Sequence, residues 1–179
     1  FSTSKDSKYI YARTGYTGED GVEVMLDQKD TLKFIQQLEA KGVMPCGLGS
    51  RDTLRLEASL PLYGFELTDD ITPVEAGLKW TLSNKSDYMG KSVIEEQINS
   101  KQHKYLKRFK LNAKQIARTG TVCKAGNING IVTSGNISPI LGYPIGCEMF
   151  ETNATDNLVE FDIRGNLIEG NLLDKRFLS

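Results

Sequence analysis

The second half of the chain constrains the fold most, because from about residue 103 onward it contains strand-like runs and no convincing helix. The six runs cover residues 105–111, 120–123, 129–133, 145–150, 157–163 and 167–173. Turn-forming stretches rich in Gly, Asn and Ser separate them, a pattern that is typical of small barrels and sandwiches. We therefore predict an all-β domain over residues 103–179, with a small jelly-roll-like barrel as its preferred form.

The first 102 residues mix both periodicities, so the predicted fold class is α+β. The predicted strands are 8–13, 22–26 and 78–82, and the predicted helices are 30–41, 50–58 and 91–98. Asp30 is a suitable N-cap for the first helix, and Gly42 is a suitable stop. Thr72 to Glu75 (TPVE) has the pattern of a further helix start. The polar stretch NSKQHK places a domain boundary near residue 102, which separates an α+β portion from the all-β domain.

Composition excludes several classes of function. A net charge of −1 gives no bulk attraction to nucleic acid or to a membrane surface, and no apolar run is long enough to span a bilayer. The three cysteines, Cys46, Cys123 and Cys147, are odd in number and far apart, which predicts buried free thiols in a reducing compartment. With His103 alone, in a polar segment, no metal site is expected. The chain begins at Phe1, which suggests entry partway through a longer protein.

The stretch YARTGYTGEDGVEVML (11–26) spaces Gly15, Gly18 and Gly21 three apart in front of an apolar strand. A phosphate-binding loop is not expected, because the stretch lacks both GxGxxG and a Walker lysine and leads into a strand instead of a helix. Glu23 lies inside the strand. It either faces solvent or accepts two parallel hydrogen bonds from a planar nitrogenous ligand, such as the edge of a pterin.

Two arginines and three aromatic residues are further candidates. Arg51 and Arg55 lie four apart on the predicted helix 50–58, where they either form surface ion pairs with Asp52 and Glu57 or hold a ligand oxygen with their forked donors. The aromatic residues are Tyr16, Tyr63 and Trp80. They are either core side chains or the walls of a pocket for a flat ligand.

Five strings carry a resemblance to a known family. They are RTGYTGEDGVEV (13–24), GLGSRDTLRLEASLPLYG (47–64), TPVEAGLKWTL (72–82), YMGKSVI (88–94) and TSGNISPILGYPIG (133–146). In this order they closely resemble the aminomethyltransferase, or T-protein, of the glycine cleavage system, and the resemblance covers nearly the whole chain. Iron–sulfur-assembly relatives carry a KGCYxGQE signature, which this chain lacks.

The resemblance implies a function and site residues. The family transfers the methylene carbon of an aminomethyl group from the dihydrolipoyl arm of the H-protein to tetrahydrofolate, and it releases ammonia. Glu23 and Arg51 match folate-site residues of the family, and Tyr16 matches a tyrosine beside the pterin. Tyr63 and Trp80 are weaker candidates for the same site. The implied substrates are tetrahydrofolate and the lipoate of the H-protein, and the implied partner is that lipoylated H-protein, with no metal, nucleic acid or membrane.

Two departures from the family pattern limit what is carried over. The family's catalytic Asp lies in a DDLIVY-like motif of an N-terminal half that this sequence does not contain, so we expect no catalytic residue here. At the tail, Phe177 matches the family's Phe, whereas Leu178 stands where Tyr is common. A folate-dependent demethylase of the same superfamily and a non-catalytic folate-binding module remain alternative functions. The expected location is the bacterial cytoplasm, or the mitochondrial matrix in a eukaryote.

Overall fold

A computed structural model describes residues 3–5, 9–83 and 85–178. The chain divides into two compact units, residues 1–60 and 61–179. The boundary proposed near residue 102 falls within the second of these units and stays a prediction. Within the described residues, no helix combines the length and the apolar character that crossing a bilayer requires.

The first unit contains a three-stranded antiparallel sheet and two helices. Its strands, in spatial order, are β1 (Thr3–Lys5), β2 (Ile10–Ala12) and β3 (Glu23–Met25). Helix α1 spans Gln28–Ala40 and helix α2 spans Leu48–Glu57. The predicted hairpin and both predicted helices are therefore confirmed with shifted ends, while residue 8 of the first predicted strand lies outside the described residues.

The start of α1 corrects a prediction. The N-cap is Asp27, which has extended dihedrals (φ −64°, ψ 141°), and not Asp30. The backbone N–H of Asp30 donates to the Asp27 carbonyl over 2.9 Å, inside the first turn. The apolar periodicity begins only at Leu32, which is why the pattern placed the start too late. At the other end Gly42 has φ +82°, and it confirms the predicted stop.

The first unit buries little of its apolar surface. Among its described residues only Arg55, Leu56 and Glu57 are buried. Met44 and Leu48 keep 79% and 84% of their surface exposed. Cys46 lies in the same exposed connector, so the prediction that all three cysteines are buried is wrong for this one, although all three thiols are free.

The second unit opens with an irregular stretch that packs onto the barrel. Thr72 to Glu75 forms a turn and no helix, yet it keeps the reciprocal capping bonds: the Thr72 N–H donates to Glu75 Oε2 over 2.8 Å and the Glu75 N–H to Thr72 Oγ1 over 3.3 Å. The buried Glu75 also accepts from the Leu106 N–H, over 3.0 Å at its backbone carbonyl. This turn thereby fixes the stretch to the first barrel strand.

The prediction of a strand at 78–82 is wrong. Lys79–Thr81 forms a short 3₁₀ helix, because Thr81 N–H donates to the Leu78 carbonyl and Leu82 N–H to that of Lys79. Strand-like alternation is not enough here, since neither sheet of the described residues includes this segment. The predicted helix 91–98 is confirmed as α3, Lys91–Ser100.

The rest of the second unit is a closed antiparallel barrel of six strands, which confirms the α+β class and the barrel. The strands are β4 (Tyr105–Leu111), β5 (Val122–Ala125), β6 (Ile128–Ile137), β7 (Pro144–Phe150), β8 (Leu158–Ile163) and β9 (Asn166–Leu173). Their order around the barrel is β4-β7-β6-β5-β8-β9, and β9 returns to pair with β4. Closure leaves no unpaired sheet edge among these strands.

The barrel interior is the main hydrophobic core of the described chain. Its buried residues are Phe109, Leu111, Ala117, Cys123, Ala125, Val132, Phe150, Ala154, Val159 and Phe161. The rings of Phe109 and Phe161 lie 4.5 Å apart between centroids. A carboxylic side chain is buried in the barrel as well: Glu148, on β7, is fully buried.

Candidate functional site

The glycine-rich loop connects β2 to β3 and returns the chain in register. Ala12 pairs with Glu23 across the two strands, so the loop covers the residues between them. Arg13 donates to both carboxylate oxygens of Asp20 over 3.2 Å, and this exposed ion pair ties the two ends of the loop together. The loop is therefore a closed, elaborate hairpin connection and not an open cradle.

Gly18 fixes where the loop lies. Its φ of +80° is in the left-handed region that favours glycine, and a Cβ built on it would lie 2.7 Å from the Cβ of Ala58. Ala58 is the residue that caps the C-terminal end of α2. The backbone of the loop thus lies directly against the end of this helix.

Docking of the loop on α2 brings together two of the candidate residues. The Arg51 guanidinium carbon lies 4.4 Å from the centroid of the Tyr16 ring, within the range of a cation–π contact. Tyr16 is half-buried, and Arg51 is exposed on the first turns of α2. Because Arg51 is exposed, its guanidinium is accessible to a ligand that bears oxygen acceptors, and the Tyr16 ring supports it.

Glu23 lies at the start of β3 and faces solvent in this structure. The hydroxyl of Thr14 donates to its Oε2, which holds the carboxylate close to the loop. Oε1 and the second lone pair of Oε2 remain available as acceptors. The carboxylate is therefore oriented, yet accessible to a ligand that offers two N–H donors.

Arg55 is a structural residue and does not present its guanidinium to solvent. It is 2% exposed, its Nε donates to Asp52 Oδ1 over 2.9 Å, and its Nη2 lies 2.8 Å from the same oxygen. Its Nη1 also reaches the carbonyl of Leu60 at 3.4 Å. Of the two arginines, Arg55 thus pairs with Asp52 as predicted, although its side chain is buried and not on the surface. Among the described residues, no hydrogen bond or ion pair engages the guanidinium of Arg51, which contacts the Tyr16 ring.

Tyr63 and Trp80 lie in the second unit, and both are exposed, so the alternative of core aromatics is wrong. Tyr63 donates its hydroxyl to Asp69 Oδ1 over 2.8 Å, and this bond, together with desolvation, raises the pKa of Tyr63. Trp80 is 77% exposed on the 3₁₀ helix and borders a cavity of about 700 Å³ that Tyr88 and Lys91 also line. At the tail, Phe177 is buried and Leu178 is half-buried.

Sequence reasoning missed the residues that support this site. Thr14 and Gly18 were part of the glycine-rich string, but pattern alone did not indicate that one orients Glu23 and the other contacts Ala58. The glycines spaced three apart indicate a hairpin connection, but they do not indicate that Gly18 contacts Ala58. Asp69, the partner of Tyr63, carried no signal, because acidic residues in loops are common.

Replacing Gly18 with Ala is expected to displace the loop from α2. The added methyl group meets Ala58 and also has to adopt a positive φ, which costs on the order of 1 kcal/mol for a non-glycine residue. We expect the Tyr16–Arg51 contact to be lost while the barrel is unchanged. Protection of loop and α2 amides in hydrogen exchange measures this. The matched control is Gly49→Ala, where a Cβ meets no atom within 4 Å and φ is not positive; equal protection in both variants contradicts the prediction.

Comparison with known proteins gives consistent matches. Residues 2–86 match the family model described as the GCVT N-terminal domain. The chain is 42% identical to an aminomethyltransferase of Thermosipho melanesiensis over 175 residues, which is 96% of this chain and 48% of that protein. It is also 42% identical to the aminomethyltransferase of Bacillus subtilis over 179 residues, which is 95% of this chain and 49% of that protein.

A solved structure agrees with these sequence matches. The glycine cleavage system aminomethyltransferase T from Bartonella henselae superposes with a TM-score of 0.86 at 28% identity, and the match covers 97% of this chain and 50% of that one. This chain therefore spans about half the length of the relatives that it matches.

Proposed function

We infer that this chain belongs to the aminomethyltransferase family of the glycine cleavage system, and we propose that it supplies a tetrahydrofolate-binding wall for that enzyme's reaction. The observation that carries the proposal is the contact between Tyr16 and Arg51, held in place by the close approach of Gly18 to Ala58. The names and the identity of the relatives support the same activity. Because the chain spans half of those proteins, the activity is proposed for the protein that contains it.

The proposed reaction balances without an oxidant or a metal. The carbon of the aminomethyl group is bonded to the sulfur of the dihydrolipoyl arm of the H-protein and to the departing nitrogen. Both bonds break, and two bonds form from this carbon to two nitrogens of tetrahydrofolate. The two protons that these nitrogens lose go to the departing amine and to the released sulfur, so the products are 5,10-methylenetetrahydrofolate, ammonia and the H-protein with its dihydrolipoyl arm.

In this proposal the residues of the chain bind and orient the folate. Glu23 accepts the two parallel N–H groups of the pterin edge, for which its remaining lone pairs are free. Arg51 donates to a pterin or side-chain oxygen, and Tyr16 supports the guanidinium from behind. Fixing the two reacting partners relative to one another accounts for a large part of the rate of such a transfer. The proton transfers of the reaction are assigned to a carboxylate in the half of the related proteins that this chain does not cover.

We also propose a protein partner and a cellular compartment for this activity. The partner is the lipoylated H-protein, which brings the aminomethyl group as substrate. Tyr63 and Trp80 are exposed aromatic residues of the second unit, and Trp80 borders a cavity of that unit, so both are available there as contacts for a flat ligand. Three free thiols fit a reducing compartment such as the bacterial cytoplasm or the mitochondrial matrix.

Replacing Glu23 with Gln tests the binding role. One acceptor of the carboxylate becomes an amide donor that faces the ligand's own N–H groups, and the charge-assisted bonds, worth about 1.5–3 kcal/mol, are lost. We expect folate affinity to fall roughly 10- to 100-fold. The measurement is calorimetric titration with tetrahydrofolate, and the matched control is Glu19→Gln, an exposed carboxylate in the same loop.

The titration separates binding from catalysis. Unchanged folate affinity in the Glu23→Gln variant contradicts the assignment of Glu23, whereas equal losses in both variants indicate a general effect of loop charge. Turnover of aminomethyl-loaded H-protein by the intact protein then tests the activity itself. Tight folate binding without any such turnover would favour a demethylase or a non-catalytic binding protein.

A further inference from the structure

A second cavity lies at the barrel, in the unit formed by residues 61–179. Its volume is about 580 Å³. One wall is the segment that follows β4, with Lys114, Gln115 and Arg118, and the other is the β8–β9 hairpin, with Asp162, Arg164 and Asn166. None of these residues belongs to the site proposed for folate.

The first wall is held firmly against β6. A Cβ on Gly135 would lie 1.8 Å from the carbonyl oxygen of Ala117, so the segment packs directly on the strand where the glycine leaves room. The Gly120 N–H donates to the Val132 carbonyl over 2.8 Å, and the Thr119 hydroxyl donates to a β6 carbonyl over 2.7 Å. The backbone that carries Lys114 and Arg118 is therefore pre-organised without a ligand.

The second wall places an arginine where local energetics disfavour one. Arg164 and Gly165 form the two-residue turn between β8 and β9, with φ values of +57° and +79°. Two successive positive φ values favour Asn-Gly or Asp-Gly in such hairpins. A long, non-glycine side chain at the first position costs roughly 1 kcal/mol. Residues with unfavourable backbone conformations are often found at functional sites. Arg164 is such a residue, and it borders this cavity.

The charges of the two walls do not cancel. Lys114, Arg118 and Arg164 contribute three cations, and Asp162 contributes one carboxylate whose Oδ1 already accepts from the Gly165 N–H over 2.8 Å. The four charged residues of the cavity have a net charge of +2, whereas the whole chain has a net charge of −1. Concave sites of one sign concentrate ions of the opposite sign.

We propose that this cavity binds a small polyanion, a molecule that presents two or more carboxylate or phosphate groups. Arg164 contributes a forked donor from the hairpin wall, and a fork of this kind matches the two oxygens of one carboxylate or phosphate. Arg118, whose Nη1 also donates to the Gly135 carbonyl over 3.5 Å, contributes its remaining donors from the opposite wall. Lys114 adds a point charge, and the amides of Gln115 and Asn166 add neutral hydrogen bonds. In this proposal, Arg164 lowers the stability of the turn but is kept because it binds the anion.

Titration of the intact protein with inorganic phosphate, tripolyphosphate and citrate, each at constant ionic strength, tests the proposal. We expect saturable binding of at least one multivalent anion. Preference for tripolyphosphate identifies a phosphate ligand, and preference for citrate identifies a carboxylate ligand. Absence of saturable binding for all three at millimolar concentrations overturns the proposal.

Two variants make the test specific to the cavity. Arg164→Asn removes the charge and installs a residue that the turn favours, so we expect anion affinity to fall at least about fivefold while the melting temperature stays equal or rises. Arg118→Gln is expected to weaken binding similarly. The control is Lys124→Gln, an exposed lysine of β5 outside the cavity. If the control loses as much affinity as the two arginine variants, binding is non-specific and the proposal fails.

Discussion

Replacing Glu148 with Gln is expected to stabilise the barrel at neutral and alkaline pH by several kcal/mol and to change its stability little near pH 4.5. Glu148 is fully buried on β7, inside a core of aromatic and aliphatic side chains. Burial raises its pKa to about 8, while the neighbouring Cys123 thiol lowers that pKa by a smaller amount. Ionising this carboxyl therefore opposes folding.

The surroundings of Glu148 explain why no partner offsets the burial. Its register neighbours are Lys107 on β4 and Val132 on β6, and no ion pair joins Glu148 to the half-buried Lys107. Neither carboxylate oxygen has a hydrogen bond of ordinary geometry within the described residues. Cys123 faces it from β5, but a thiol is a weak donor, and burial beside the carboxylate raises the pKa of that thiol as well.

The direction of the pH dependence follows from the raised pKa. Below about 4.5, the usual value for this carboxyl, Glu148 is protonated in both the folded and the unfolded protein and imposes no charge penalty. Between that pH and about 8 the unfolded protein releases the proton and the folded protein keeps it, so stability falls as pH rises. Since each pKa unit corresponds to about 1.4 kcal/mol, the total is on the order of several kcal/mol. Gln carries no titratable proton, so the variant escapes this loss.

Urea unfolding followed by circular dichroism, at a series of pH values from acidic to alkaline, measures the effect. The difference in free energy of unfolding between the Glu148→Gln variant and the unmodified protein should grow as pH rises and level off above about 8. Glu160→Gln, at an exposed position on β8, is the control and should give parallel curves. Parallel curves for Glu148→Gln as well would mean that this carboxyl is hydrated or paired in solution.

The barrel was predictable from sequence because its signals are local. Each of the six predicted strands has an observed counterpart, since alternation of apolar residues and the intervening Gly, Asn and Ser turns both act over a few positions. β6 is longer than its predicted run, Ile128–Ile137 against 129–133, and a register shift between Val132 and Ser134 interrupts its pairing with β7. Such an irregularity depends on the partner strand, which a single run does not reveal.

The candidate site was predictable only in its residue types. The local pattern does not decide whether Glu23 faces solvent or a ligand. The structure shows that its side chain is exposed and accepts a hydrogen bond from Thr14. The contact between Tyr16 and Arg51 depends on Gly18 meeting Ala58, forty positions along the chain. The strand predicted at 78–82 failed for a similar reason, because pairing partners and not alternation decide whether an extended run becomes a strand.

Replacing Gly146 with Ala should destabilise the barrel more than any exposed substitution. Gly146 lies on β7, directly opposite Gly135 of β6 and Phe109 of β4. A Cβ at this position would lie 2.3 Å from Cζ of Phe109 and 2.4 Å from the carbonyl oxygen of Ser134. Neither atom can move without disturbing its neighbours, since the ring is fully buried and the carbonyl belongs to the backbone of the neighbouring strand.

Relief of this overlap requires a shift of β6 against β7 or a new position for the Phe109 ring, which packs on Phe161. Overpacking of a core costs about 1–3 kcal/mol and more where backbone is involved, so we expect a loss of at least about 2 kcal/mol. The midpoint of urea unfolding measures it, with Gly49→Ala as the matched change at a glycine whose added Cβ meets no atom within 4 Å. Equal midpoints for the two variants would mean that the barrel accommodates a methyl group here, and that glycine at position 146 is not what permits the strands to close around Phe109.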